Sequence, residues 1–328
     1  MSIIVTGSIA WDFLMHFPGH FREHILADRS DKLSVSFLVD SKERHRGGCA
    51  PNIAYNLALL GNRPRLMGTA GVDFDDYRQW LEQVGVDTSL TVAFADEFTA
   101  TFTVMTDLDH NQIASFHTGA MARARELSFH DLPREGVGWV IISPNDPQAM
   151  VKYARECRQL GIRFVYDPSQ QLARIDRAEL MESMEGAAVL TVNDYELEMA
   201  KRLSGLDEAE LLQHVGALVV TRGPDGASVY ARDDIHHIPA AHARALVEPT
   251  GVGDAFRAGL LTGLERDYGW PGVLRLANVA AVYVIEQVGT QNHSYTITDF
   301  IARYRQNYGD DAVTDDLQRR SQDLIPRP

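Results

Sequence analysis

Only two cysteines, Cys49 and Cys157, occur in 328 residues. They form no CxxC pair and no metal-ligand spacing, so a disulfide framework and a cysteine-built metal centre are excluded. A reducing compartment is the simplest reading, and Cys49 is read as a packing residue. Basic residues are also scarce: 31 Lys and Arg stand against 45 Asp and Glu, for a formal net charge of −14. Such a surface repels nucleic-acid polymers and anionic membranes, though not a small phosphorylated ligand held by a few local donors. Long apolar runs are missing as well. Ala277–Ile285 is too short to span a bilayer. The opening MSIIVTGSIAWD has no basic n-region and reads as a first β-strand, so a cytoplasmic protein is expected. There is no internal repeat, no GxxxxGK[ST] phosphate loop, no GxGxxG following a strand and no GxSxG nucleophile elbow.

What is present is an alternation of short apolar runs with helical patterns. Ile3–Val5, Arg65–Thr69, Trp139–Ser143, Arg163–Asp167, Val189–Val192 and Ala217–Thr221 read as strands buried on both faces. Asn52–Leu60, Tyr77–Val84, Asp146–Leu160, Arg177–Glu182, Asp194–Ser204, Glu208–His214, Asp254–Leu264 and Val273–Gln287 read as helices. This order predicts an α/β fold, three layers with a mostly parallel central sheet. Lys32–Asp40 (KLSVSFLVD), Glu97–Val104 (EFTATFTV) and Gln112–His117 (QIASFH) alternate polar and apolar residues instead. They predict a small antiparallel sheet with one wet face. The expected division is an α/β catalytic domain over 1–12, 41–96 and 119–328, with a discontinuous β lid over 13–40 and 97–118. The tail from Gly309, which ends in Pro326 and Pro328, reads as a peripheral helix with a frayed end.

The stretch VEPTGVGDAFRAGLL carries the clearest chemistry. Gly251 and Gly253 allow a ligand to approach the main chain at the mouth of a helix, whose first amides have no partners. Those amides and the helix dipole suit an anion. Asp254 beside a bound anion is unwelcome unless it takes a proton from a hydroxyl that attacks phosphorus. In RGGCAPNIAYNLALLG, Gly47 and Gly48 permit close backbone approach, Pro51 suits a first helical turn and Asn52 sits at the helix entry. Asp12 follows the first strand, and open α/β sheets bind ligands at the carboxyl ends of their strands. His16, His20 and His24 have helical metal-site spacing, but Pro18 and Gly19 interrupt the helix it would need.

GSIAWD, RGGCAPNIAYNLALLG, TVNDYE, TRGPDG and EPTGVGDAF occur in the order found in the PfkB, or ribokinase-like, family of carbohydrate and nucleoside kinases, and the chain resembles that family over nearly its whole length. HRGG, SFLVD, QIASFHTGAM and DPSQQLAR resemble bacterial adenosine kinases in particular. The resemblance implies a ribokinase-like fold with Asp254 as catalytic base and the amides of Gly251, Val252 and Gly253 as an anion hole for the γ-phosphate of ATP. It implies Asn193 and Glu196 around Mg²⁺, with Glu196 acting through water, and Thr221, Gly223 and Asn278 around the nucleotide. Asp12, Gly48 and Asn52, with Ser8 and Ser36, would hold sugar hydroxyls. Glu248 stands where the family has Asp, at a position linked to a monovalent-cation (K⁺) site near Gly289–Gln291.

Two readings of Arg174 stand together, a cation for the transferring phosphate and a sheet-edge salt bridge. Phe102 and Phe116, on adjacent lid strands, are expected to sandwich a planar base whose edge Gln170 and Gln171 would read, favouring adenine over hypoxanthine. The expected activity is ATP-dependent phosphorylation of the 5′-hydroxyl of adenosine to AMP, a purine-salvage reaction, in a homodimer formed through the lid. The alternatives are a ribose or fructose kinase and a non-catalytic nucleoside or sugar sensor.

Overall fold

The computed structural model describes residues 2–25, 34–132, 136–232 and 234–323. Its thirteen strands among these residues are β1 (Ser2–Thr6), β2 (Ala10–His16), β3 (Ser41–Gly47), β4 (Arg65–Ala70), β5 (Thr91–Ala93), β6 (Ala100–Thr106), β7 (Gln112–His117), β8 (Val137–Ile142), β9 (Phe164–Tyr166), β10 (Val189–Asn193), β11 (Leu218–Thr221), β12 (Ala227–Ala231) and β13 (Asp234–Ile238). Nine form the main sheet, in the order β13-β12-β11-β10-β9-β8-β1-β4-β5. All neighbours in it are parallel except the β11–β12 and β12–β13 pairs.

All six expected buried strands lie in this sheet, and their unbroken apolar runs have a direct cause. Successive side chains point to opposite faces, and both faces are covered. Ile3, Val5, Ile141, Val165 and Val219 pack into one core layer. Ile4, Val140, Ile142, Phe164, Leu190 and Val220 pack into the other. The antiparallel β12–β13 hairpin was not expected, and it takes in His236 and His237.

From β1 the chain builds outward in one direction through β4 and β5, and in the other through β8 to β13. The order therefore reverses beside β1, and a crevice opens there at the carboxyl ends of the strands. The second sheet, ordered β3-β2-β6-β7, forms the lid. Its β2–β6 pair is parallel and its outer pairs are antiparallel.

One lid strand differs from expectation. Residues 34–39 are irregular, Lys32 and Leu33 lie outside the described residues, and the strand is Ser41–Gly47. SKERHRG has no apolar alternation because its partners are cation–aromatic: Lys42 lies over Phe13 at 4.4 Å and Arg44 over Trp11 at 4.2 Å. The small sheet also begins at Ala10, ahead of Phe13. His16 and His20 pair with Asp40 and Asp109, while His24 packs edge-on against Phe17, so the three histidines do not converge. The tail forms the helix Ala312–Asp323; Pro326 and Pro328 lie outside the described residues.

Candidate active site

A cavity of about 390 Å³ opens at the strand ends beneath the lid. It is lined by Ser8 after β1, Asn193 closing β10 and Thr221 closing β11, each at a strand's carboxyl end. Asp12 descends from β2, and Phe102 and Phe116 from the lid strands β6 and β7.

The floor is the start of the helix Val252–Glu265. Gly251, its N-cap, has φ 82°, a left-handed conformation suited to glycine. A β-carbon there would also lie 2.9 Å from Thr290 Cγ2. The N–H of Ala255 bonds the carbonyl of Gly251 at 3.0 Å, so the amides ahead of it belong to the open first turn. Val252 departs from the expected role: its N–H reaches Pro249 O at 3.3 Å, and its side chain packs against the core instead of lining the cavity. Gly251, Gly253 and Asp254 do line it.

Asp254 is 8% exposed. Burial raises its carboxyl to about 6, against the pull of Arg257 and a hydrogen bond from Asn52. That bond, Asn52 Nδ2 to Asp254 Oδ2, is 2.9 Å. The Asn52 amide is held from its other side, since Oδ1 accepts from Thr290 Oγ1 at 2.8 Å and from Gln291 Nε2 at 2.9 Å. Gln291 on the oxygen and the accepting Asp254 carboxylate opposite set the NH₂ group towards Asp254, while the single Thr290 proton is shared between Asn52 Oδ1 and Arg46 O, 2.9 Å away. Asn52 thus orients the Asp254 carboxylate as well as facing the cavity.

Asp12 is likewise pushed up to about 6, by burial first, with His45 opposing and Asp254 and Glu248 adding to the rise. The double glycine now has a cause. A β-carbon on Gly47 would fall 2.1 Å from Asp12 Oδ2, and Gly48 has φ 89° with Ser8 O at 2.5 Å from its would-be β-carbon. Gly48 is required by its φ and by the backbone of Ser8–Ala10 against it, while Gly47 leaves room for the Asp12 carboxylate in its present position. Cys49 lines the cavity too, but burial drives its thiol pKa strongly up, so it is an inert wall.

On the opposite wall Asn193 and Glu196 form a reciprocal capping box. Asn193 Oδ1 accepts from Glu196 N at 2.7 Å, and Glu196 Oε2 accepts from Asn193 N at 2.8 Å. Ser169 donates to the remaining Glu196 oxygen, Oε1, at 3.2 Å.

Several expected site residues lie elsewhere. Gln170 lines the cavity, whereas Gln171 is buried beside it with no partner for Oε1. Ser36, Arg174 and Gly223 are exposed and line no part of the cavity. Asn278 is buried and donates to Pro239 O at 3.0 Å, behind β13. Phe102 and Phe116 are register partners on β6 and β7, so their rings lie side by side on one sheet face. They make a platform, not the two sides of a sandwich. Glu248 accepts the Gly289 N–H at 2.8 Å, next to the segment expected for a cation.

Sequence reading missed Arg257 and Asp167, and it linked Thr290 and Gln291 only to a cation and not to Asn52. Arg257 follows Asp254 by three, a spacing that puts both on one helix face and was a legible signal. Thr290 and Gln291 reach Asn52 from more than 230 positions away, and nothing local announces that contact.

With this geometry in hand, comparison with known proteins gives a consistent result. The model of the pfkB family carbohydrate kinases matches residues 19–297. A nucleoside kinase of Methanothermobacter thermautotrophicus is 29% identical over 313 residues, 94% of this chain and 96% of the relative. The nucleoside kinase of Burkholderia thailandensis, solved in complex with inosine, is 38% identical with a TM-score of 0.84, covering 94% of this chain and 98% of that one. The same enzyme solved in complex with ADP-inosine is 39% identical with a TM-score of 0.82, over 94% and 96% of the two chains. The Methanocaldococcus jannaschii nucleoside kinase, an archaeal member of the ribokinase family, is 27% identical with a TM-score of 0.84, over 93% and 98%. The chain belongs to the pfkB family of carbohydrate kinases and is a phosphotransferase with an alcohol group as acceptor.

Proposed function

We propose that this pfkB-family kinase transfers the γ-phosphoryl group of ATP to the 5′-hydroxyl of a purine nucleoside, with adenosine giving AMP, and that inosine is also accepted. One observation carries the reading: Asp254, in the first turn of the helix Val252–Glu265, shares a cavity with Asp12, Asn52 and a two-ring platform. Adenosine follows from the sequence resemblance; inosine follows from the ligand of the Burkholderia thailandensis relative. The preference for adenine over hypoxanthine expected of a Gln170–Gln171 pair has only one of the two amides behind it. Gln170 alone lines the cavity, and its amide can present either the donor or the acceptor to position 6 of a purine.

In this reading Asp12 and Asn52 hold the ribose hydroxyls, and the base lies against Phe102 and Phe116. The 5′-oxygen forms a bond to the γ-phosphorus while the bond from that phosphorus to the β–γ bridging oxygen breaks. The electron pair leaves with ADP, and the hydroxyl proton passes to Asp254. A carboxyl raised to about 6 is ionised at neutral pH, yet is a stronger base than an ordinary aspartate. Gly251 and Gly253 let the phosphate reach the helix amides.

The wall residues fit a hydrated divalent cation. Glu196 is fixed by its capping box through Oε2, while Oε1 accepts from Ser169, another lining residue, an arrangement that suits contact with the ion through water. Mg²⁺, when bound, supplies positive charge against the triphosphate oxygens.

Asp254→Asn tests the assignment. Turnover should fall by several orders of magnitude, about 10³-fold or more, while nucleoside and ATP binding survive. Retained turnover would remove Asp254 as base. A lid-mediated homodimer is part of the same proposal, because β7 is an edge strand exposed along its whole length and carries Ile113 and Phe116.

A further inference from the structure

Among the described residues that line the cavity, Arg257 is the one cationic side chain; Asp12, Glu196 and Asp254 are all acidic. A triphosphate entering such a cavity meets three carboxylates, and every positive group is therefore valuable. Arg257 is not free to wander. Asp167, fully buried just past β9, grips one edge of its guanidinium, with Nε–Oδ2 2.5 Å and Nη2–Oδ1 2.7 Å. Only the second of these has hydrogen-bond geometry; the first is a close ion-pair contact, so Asp167 holds this edge by one charge-assisted hydrogen bond and by charge. This leaves Nη1 unclaimed by Asp167. Nη1 lies 3.9 Å from Asp254 Oδ1 and only 2.5 Å from the point a β-carbon on Gly253 would occupy. The guanidinium tip therefore sits in the space that the bare Gly253 leaves open, alongside the first-turn amides.

We propose that Arg257 is a catalytic cation: Asp167 fixes its inner edge so that Nη1 donates to the transferring phosphoryl group in the anion hole. The assignment rests on the kinase reading but not on which acceptor is used. It gives Asp167 a positioning role, through Arg257, and explains a fully buried carboxylate whose cationic partner among the described residues is Arg257. Burial disfavours charge on both partners, while Asp167 and Asp254 together keep Arg257 protonated. No proton moves through Arg257 in the reaction. It offsets charge on the three equatorial oxygens as the bond to the β–γ bridging oxygen breaks and the bond to the acceptor oxygen forms.

The test is steady-state kinetics of Arg257→Ala and Arg257→Lys with whichever acceptor the wild type turns over, with melting temperatures recorded in parallel. Arg257→Ala should lower kcat by about 10²- to 10³-fold, as for loss of one oxyanion donor, with both KM values within about threefold of wild type. Added guanidinium ion should restore part of the lost turnover. Arg257→Lys keeps a cation against Asp167 and hence the fold, but it has no second arm to offer the phosphate. Its kcat should fall at least about tenfold. Should Arg257→Ala fail to fold, Arg257→Lys decides alone. Retention of kcat within about threefold in a folded variant, a loss carried wholly by KM, or a kcat loss that guanidinium leaves untouched would each overturn the proposal. A wild type that prefers ribose would refute the nucleoside assignment while leaving this test intact.

Discussion

Asn52→Asp swaps a single NH₂ for an oxygen at the point where the side chain meets the proposed base. In the wild type, Asn52 Nδ2 donates to Asp254 Oδ2 over 2.9 Å, and the two residues are 4% and 8% exposed. The variant sets two carboxylates in that position, with charge centres about 4 Å apart. At an effective dielectric constant near 20 the repulsion is about 4 kcal/mol, equivalent to about 3 pKa units. The cavity is open on one side, so about 2 units is the realistic figure.

The shared proton should settle on Asp254. Thr290 and Gln291 lie within hydrogen-bond distance of the oxygen at position 52 and stabilise its ionised form; Arg257 favours ionised Asp254, but from 3.9 Å and with its charge already engaged by Asp167. The sign follows. A base must be ionised to act, so turnover is lost as pH falls through its pKa. The acid limb of kcat should therefore move from near 6 in the wild type to near 8 in Asn52→Asp. At pH 7 turnover should be about tenfold down, recovering towards pH 9. The assay is kcat against pH from about 5 to 9.5 with both substrates saturating, so that any weakening of nucleoside binding stays in KM. An acid limb that stays in place, with kcat lowered evenly at every pH, would refute the coupling of Asn52 to Asp254.

Phe116→Ala should raise the nucleoside KM about five- to tenfold, the low end for a base–ring contact because the ring is 44% exposed, while the ATP KM stays put. Equal changes in the two constants would count against the platform. The homodimer proposal predicts a mass of two chains by light scattering, and removal of the apolar edge by Ile113→Lys should shift it to one. A single-chain mass for the unaltered protein at all accessible concentrations would dismiss the lid-to-lid contact.

The main sheet was legible because its strands are buried on both faces and written in unbroken apolar runs, as at Val189–Val192. The phosphate end of the site was legible for a similar reason, since TGVGDAF packs its turn, its open amides and its acid into one short stretch. Legibility failed where stability comes from unlike groups. β3 reads as a charged loop because Lys42 and Arg44 lie over rings on β2, while the strand-like KLSVSFLVD holds no strand among its described residues. It fails again where the register of two strands fixes a side chain's face: Phe102 and Phe116 are register partners on one face of the lid and not opposed walls. The contacts that orient the proposed base and hold its neighbouring cation were the least visible. Gln291 to Asn52 and Asp167 to Arg257 join distant segments, and only the folded chain brings them together.

The central claim is the acceptor, and a product assay tests it most directly. Purified protein with ATP and Mg²⁺ would be offered adenosine, inosine, cytidine, ribose and fructose, and the position of the new phosphate read by ³¹P–¹H correlation. Fastest turnover is expected with the purine nucleosides, with the new phosphate on the 5′-oxygen. Ribose or fructose turning over well ahead of adenosine and inosine would contradict the claim.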